Sequence, residues 1–238
     1  MNDRELHAHL IGQQGGRKAF NTPVLVIDLD MLERNIAAMA TFAKERGIAL
    51  RPHAKTHKSA DIAQKQVAAG AVGVCCAKLG EAEAMADGGI GGILITSPVV
   101  SAPAIKRLTR LNALIPDLRV TVDNPANVAA LAEAAKAAGK PLQVLIDIDP
   151  GIRRTGVPSP EAAVEVGRSI AEAPSLVYLG VQYYCGREQH VESYADRRSA
   201  VEDRTTYLGE VIAALSGIGM APTVITGGGT GTHRIDAD

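Results

Sequence analysis

Tryptophan is absent from this chain of 238 residues, phenylalanine occurs twice, and aromatic residues make up 3%. Any core must therefore be filled by Val, Ile, Leu and Ala. Charge of one sign is also lacking: the formal net charge is −1. That excludes a basic field for nucleic acid and any strong electrostatic steering. No apolar run approaches the roughly 20 residues that a membrane-spanning helix needs. Three cysteines are too few for a disulfide framework. Cys75 and Cys76 are adjacent, so on a strand they face opposite ways, and Cys185 stands alone. Free thiols in a reducing compartment are expected. No Cys/His spacing matches a zinc site, and no metal ligands are assigned. The N-terminus, Met1-Asn2-Asp3-Arg4-Glu5-Leu6, lacks the basic-then-apolar plan of a signal peptide. A cytoplasmic protein with no membrane partner is the expectation.

What is present is ordinary soluble material, 46% hydrophobic and 21% charged. The length suits one large α/β domain or two small ones. Residues 1–21 contain Gly15-Gly16 and little periodicity, and read as a leader. Residues 22–238 show one rhythm throughout, with no linker and no low-complexity tract. Apolar runs at 24–27, 48–50, 72–76, 92–96, 118–122, 142–148, 176–184 and 222–226 read as strands. Helical patterns fill the intervals, at 31–46, 59–70, 80–87, 102–114, 127–138, 160–173 and 193–215. Continuous apolar strands, rather than alternating ones, imply a parallel sheet buried on both faces. Eight strands alternating with helices favour a (β/α)8 TIM-type barrel over a doubly wound sheet. Polar residues gather after the strands: Asp28, Lys55, Lys78, Ser97, Asp123, Asp149, Tyr184 and Gly227. Barrel chemistry is built at that end.

The stretch Leu50-Arg51-Pro52-His53-Ala54-Lys55-Thr56-His57-Lys58-Ser59 joins a strand to a helix. Residues alternate faces along a strand, so Arg51, His53 and Lys55 share one. Lys55 is read as a nucleophilic amine that forms a Schiff base; the bland alternative is a solvated charge or an anion site. Lys58 is the rival lysine, falling in the first turn of the next helix. His53 and His57 are candidate bases beside it, or histidines satisfied by their neighbours.

A second motif, Thr226-Gly227-Gly228-Gly229-Thr230-Gly231-Thr232, follows the last apolar strand. Consecutive glycines expose backbone N–H groups that can wrap a phosphate; the alternative is a flexible turn. A third, Asp147-Ile148-Asp149-Pro150-Gly151-Ile152-Arg153-Arg154-Thr155-Gly156, crowds opposite charges at one strand end. They either pair with each other or present an arginine to a cofactor oxygen. In a fourth, Gln182 and Tyr184 share one strand face and can offer an amide and a phenol. A Schiff-base lysine, a phosphate loop and an inward tyrosine together describe a pyridoxal phosphate site.

Three stretches carry a resemblance. They are Thr22-Pro23-Val24-Leu25-Val26-Ile27-Asp28-Leu29-Asp30, Arg51-Pro52-His53-Ala54-Lys55-Thr56-His57-Lys58 and Gly228-Gly229-Thr230-Gly231-Thr232. From about Thr22 to Thr232 the chain resembles the D-threonine aldolase and D-serine dehydratase family, the alanine-racemase-like, fold type III group of pyridoxal phosphate enzymes. The resemblance implies that Lys55 holds the cofactor aldehyde and that Arg154 lies beside the cofactor. It implies that Gln182 and Tyr184 flank its ring and that Gly228, Gly229 and Thr230 hold its phosphate. It implies a lyase that cleaves D-β-hydroxy amino acids to glycine and an aldehyde, a homodimer in the full-length form. D-serine or 3-hydroxyaspartate dehydration, amino-acid racemisation and a non-catalytic pyridoxal phosphate-binding barrel are the alternatives. A phosphate-sugar barrel using Lys55 without a cofactor is another. The family continues into a C-terminal β domain bearing a His and an Asp or Cys for a divalent metal, Mn or Zn. This chain stops at Asp238, so those ligands lie outside it. The resemblance also allows the 24–27 strand to stand outside the barrel.

Overall fold

The computed structural model describes residues 3–238. Among the described residues, nine α-helices and six strands follow in chain order. The helices are α1 (Asp3–His7), α2 (Leu29–Glu45), α3 (Ala60–Ala68), α4 (Leu79–Asp87), α5 (Ala102–Leu114), α6 (Pro125–Ala138), α7 (Pro160–Ala171), α8 (Tyr194–Gly217) and α9 (His233–Asp236). The strands are β1 (Val74–Cys76), β2 (Ile93–Ile95), β3 (Leu118–Val122), β4 (Leu142–Ile148), β5 (Leu176–Tyr183) and β6 (Val224–Gly227).

The sheet is wholly parallel and its spatial order is the sequence order, β1-β2-β3-β4-β5-β6. A doubly wound sheet would reverse direction at a switch point; this one winds one way, as a barrel does. Residues 50–53 add a seventh, irregular segment beside β1. Val72 donates to Leu50 O at 2.9 Å, Cys75 to Pro52 O at 2.8 Å and Ala54 to Cys75 O at 2.8 Å. His53 and Cys75 form a parallel bridge. The ladder is broken because Pro52 has no N–H to give. Gly73, at φ 132°, absorbs an extra residue on the β1 side. A Cβ there would lie 2.0 Å from Gly92 O.

Side chains of one parity pack under the helices. Val74, Ile93, Ile95, Val120, Val144, Ile146 and Val181 belong to that main core. The opposite parity faces the interior of the curl, where Cys75, Leu94 and Leu145 form a second, small cluster. The curl is measured by one contact across it. Gln182 on β5 donates through Nε2 to the backbone oxygen of Thr96, just past β2, at 3.1 Å.

One expected strand is corrected. Residues 24–27 are extended but pair with no strand among the described residues, and Leu25 is 98% exposed. Extended apolar residues leading into a helix cap carry the same pattern as a strand. Here Asp28 caps α2, accepting from Met31 N at 3.0 Å. Among the described residues the barrel therefore has seven strand segments and an opening. The expected leader falls on α1 and two short 3-10 turns, with Met1 and Asn2 outside the described residues. Among the described residues, no helix is long and apolar enough to cross a membrane.

Candidate active site at the open end of the barrel

Lys55 projects from a turn that closes at once after the irregular strand. Lys58 N donates to Ala54 O at 2.8 Å, and Ala54, 1% exposed, anchors the turn in the core. Lys58 takes a left-handed conformation, φ 50°. Ser59 then caps α3, accepting from Ile62 N at 3.3 Å. The Lys55 ammonium lies 5.5 Å from the centroid of the Tyr184 ring. The Arg154 guanidinium lies 5.5 Å from the same centroid. Tyr184 thus gathers two cations from distant parts of the chain, a cation–π arrangement. Among the described residues neither cation has a carboxylate partner.

His53 lies two residues before Lys55 and points inward. Lys55 N donates to its Nδ1 at 3.3 Å, and its Nε2 meets Thr96 Oγ1 at 3.3 Å. A ring nitrogen that accepts from a backbone N–H carries no proton, so the proton is on Nε2. The Thr96 hydroxyl donates onward to Cys76 O at 3.2 Å. Burial, then the Lys55 charge, holds His53 down at about 4, against weaker opposition from Glu81 and the Cys75 backbone. It is therefore neutral at ordinary pH. His57 turns away: its Nδ1 accepts from Ser59 N at 3.1 Å, and the ring lies toward Gln66 of α3.

The charged 147–156 stretch does not pair with itself. Among the described residues no ion pair joins its aspartates to Arg153 or Arg154. Asp149 instead accepts from Gly151 N at 2.9 Å and Arg153 N at 3.0 Å. Asp123 accepts from Gly156 N at 2.9 Å. Buried Asp147 accepts from Thr155 Oγ1 at 2.7 Å and from Gln182 Nε2 at 2.8 Å. Three carboxylates from two strand ends thus clamp the loop that presents Arg154. Burial raises the Asp147 pKa, while the Gln182 and Thr155 bonds lower it. The Gln182 amide is committed to this interior network.

The glycine loop follows β6, which pairs Gly227 with Tyr183. Its Gly228 has φ 82°. The Asp236 carboxylate beside this loop accepts from Thr232 Oγ1 at 2.7 Å, and the nearby Gly229 backbone helps offset the burial that pushes its carboxyl up. Gly231 N–H donates to Gln189 Oε1 at 3.3 Å. His233 Nδ1 lies 3.0 Å from Thr230 O.

Sequence reasoning missed Thr96, Thr155, Gln189 and Asp236, and saw Asp147 only as an ion-pair candidate. Parity could have found two of them. Thr96 continues the inward face of Leu94, and Asp147 that of Leu145. The three cysteines are free and buried. Burial pushes Cys75 up to about 11 and Cys76 and Cys185 to about 12, so none supplies a thiolate. Among the described residues, no three His, Cys, Asp or Glu side chains converge to hold a metal. A cleft of about 480 Å³ lies outside the barrel between α7 and α8 and contains none of these side chains.

The sequence profile described as "Alanine racemase, N-terminal domain" matches residues 27–233. A 3-hydroxy-D-aspartate aldolase of Paracoccus denitrificans (strain Pd 1222) is 41% identical over 218 residues, covering 91% of this chain and 56% of that protein. A D-threonine aldolase of Arthrobacter sp. is 35% identical over 217 residues, covering 91% and 57%. The crystal structure of D-threonine aldolase from Filomicrobium marinum superposes with a TM-score of 0.88 at 40% identity, covering 91% of this chain and 58% of that one. The chain spans about half the length of the curated relatives it matches.

Proposed function

The chain belongs to the alanine racemase N-terminal domain family, and we propose that it is the cofactor barrel of a pyridoxal phosphate-dependent lyase. Its substrates are D-β-hydroxy amino acids of the 3-hydroxy-D-aspartate and D-threonine kind. The observation that carries this reading is the pair of cations on Tyr184, each 5.5 Å from its ring centroid. A free primary amine stands at one side of a barrel mouth and a fixed planar cation at the other. The fit to a phosphorylated aldehyde is supported by a second feature beside the glycine loop, a buried amide donor, Gln189 Nε2, that has no hydrogen-bond partner among the described residues. When bound, the cofactor supplies an aldehyde that condenses with amines and a ring that takes up an electron pair.

The residues of the chain do the rest. Lys55 Nζ would hold the cofactor through its aldehyde, and as a primary amine beside the substrate it could carry a proton to and from Cα. Neutral His53 adds no charge beside Lys55. Its bond from the Lys55 N–H fixes the backbone that aims the amine. Arg154, on the loop held by the Asp123, Asp147 and Asp149 clamp, would offer guanidinium donors to a cofactor oxygen. Tyr184 supplies a flat wall. Cleavage opens the Cα–Cβ bond, moves the β-hydroxyl proton to a base and releases an aldehyde. A proton returned to Cα gives glycine. The described residues offer no ligand cluster that fits the divalent metal the family resemblance implies, so no step is derived through one.

Product analysis tests the reading. Glycine and an aldehyde from D-threonine or 3-hydroxy-D-aspartate support it. Pyruvate or oxaloacetate with ammonia would make the enzyme a dehydratase instead. A chain that takes up neither pyridoxal phosphate nor pyridoxal on Lys55 would overturn it.

A further inference from the structure

Gln189 lies in the 3-10 turn Glu188–His190 that follows β5. Its side chain reaches the glycine loop at Gly229 and Gly231. Gly231 N–H is a donor, so the atom that faces it at 3.3 Å must be the amide oxygen, Oε1. That fixes which way round the amide lies. Its other end, Nε2, is then buried with no hydrogen-bond partner among the described residues. The amide rests on Gly229: a Cβ there would sit 2.2 Å from Nε2 and 2.3 Å from Oε1. A Cβ on Gly231 would lie 2.6 Å from the Gln189 backbone oxygen. Both glycines leave room for this one residue.

The loop has fewer free donors than its glycines suggest. Gly231 N–H is taken by Gln189 itself, and the Gly229 backbone lies beside the Asp236 carboxylate. A buried amide donor without a partner is rare in folded proteins. The two N–H groups of Gln189 Nε2 lie against the loop at Gly229 and have no acceptor among the described residues.

We propose that Gln189 is a direct ligand of the phosphate monoester seated at the glycine loop. Its Nε2 donates to a phosphate oxygen while its Oε1 keeps Gly231 in register. This rests on the cofactor reading above and adds a side chain to the loop's backbone donors. An uncharged amide at this point also tolerates the neighbouring Asp236 carboxylate.

The test compares pyridoxal phosphate with pyridoxal, which lacks the phosphate. Absorbance titration gives both dissociation constants for the native chain, Gln189→Met and Gln189→Glu. Glutamate retains an acceptor for Gly231 and loses the donor; methionine retains the length and loses both. Both variants should bind pyridoxal as the native chain does. Both should weaken pyridoxal phosphate by about tenfold or more, the worth of one hydrogen bond to a charged group, with glutamate the weaker. Inorganic phosphate should compete with pyridoxal phosphate on the native chain and lose that effect in Gln189→Glu. An unchanged preference for the phosphorylated form in a folded Gln189→Glu protein overturns the proposal. So does equal weakening of both aldehydes. If the native chain takes up neither aldehyde on Lys55, the cofactor reading fails. Calorimetry with inorganic phosphate alone then decides the role of Gln189: binding lost in Gln189→Glu upholds it, and no binding to the native chain overturns it.

Discussion

Gln182 on β5 donates to the Asp147 carboxylate on β4 at 2.8 Å and, through the same nitrogen, to Thr96 O at 3.1 Å. One amide therefore ties three strand ends across the interior. Asp147, 4% exposed, shares its other oxygen with Thr155, one residue beyond Arg154. The same small network closes the curl and sets the arginine loop.

That network should cost stability when its acceptor is removed. Asp147→Ala leaves one Gln182 N–H and the Thr155 hydroxyl without their acceptor in the interior, while Gln182 keeps its bond to Thr96 O, and is expected to lose about 2–4 kcal/mol. Asp147→Asn keeps an acceptor and should lose clearly less. Urea unfolding measures both. A difference of less than about 0.5 kcal/mol between Asp147→Ala and native protein contradicts the assignment.

His53 predicts an acid sensitivity. Its folded-state pKa, about 4, lies below its ordinary 6.5. The unfolded chain thus binds the proton more readily between those values, and stability falls as pH drops through that window. Above 6.5 the contribution is constant. His53→Gln, which does not titrate, should show a shallower decline of melting temperature from pH 6.5 to pH 4.5. Parallel curves for the two proteins would contradict a neutral, half-buried His53.

Gly73 supports the strand that carries Lys55. Gly73→Ala forces a Cβ to 2.0 Å from Gly92 O at φ 132°. A strained backbone of this kind costs about 1–3 kcal/mol, and the clash adds to it. Gly139→Ala is the control, at φ 70° with nothing within 4 Å. The Gly73 variant should unfold at lower urea than the control; equal midpoints would contradict the close approach.

Arg154 should affect both forms of the cofactor alike. Arg154→Ala removes a donor to the ring and is expected to weaken pyridoxal and pyridoxal phosphate each by about tenfold. A loss confined to pyridoxal phosphate would move Arg154 to the phosphate.

Most of the barrel was legible because buried parallel strands declare themselves by composition. The runs at 118–122 and 142–148 became β3 and β4 with the same bounds. Caps sharpened the rest: Asn124 accepts from Ala126 N at 2.9 Å and starts α6 at Pro125, two residues before the pattern suggested. Residues 24–27 misled because an extended lead-in to a cap shares a strand's composition. In the site, Lys55 and Tyr184 were singled out from their motifs and grouped as one site, and Arg154 joined them only through the family resemblance. That both cations lie against the Tyr184 ring was not legible, since it depends on the curl. Gln189 was invisible for a different reason: nothing in a sequence shows which buried donor ends without an acceptor.

Borohydride reduction followed by peptide mass spectrometry reads the central claim directly. Reduction fixes a bound pyridoxal phosphate on whichever lysine has taken up its aldehyde. The label is expected on Lys55, lost in Lys55→Ala and retained in Lys58→Ala. A label on Lys58 in the native chain, or undiminished labelling after Lys55→Ala, would contradict it.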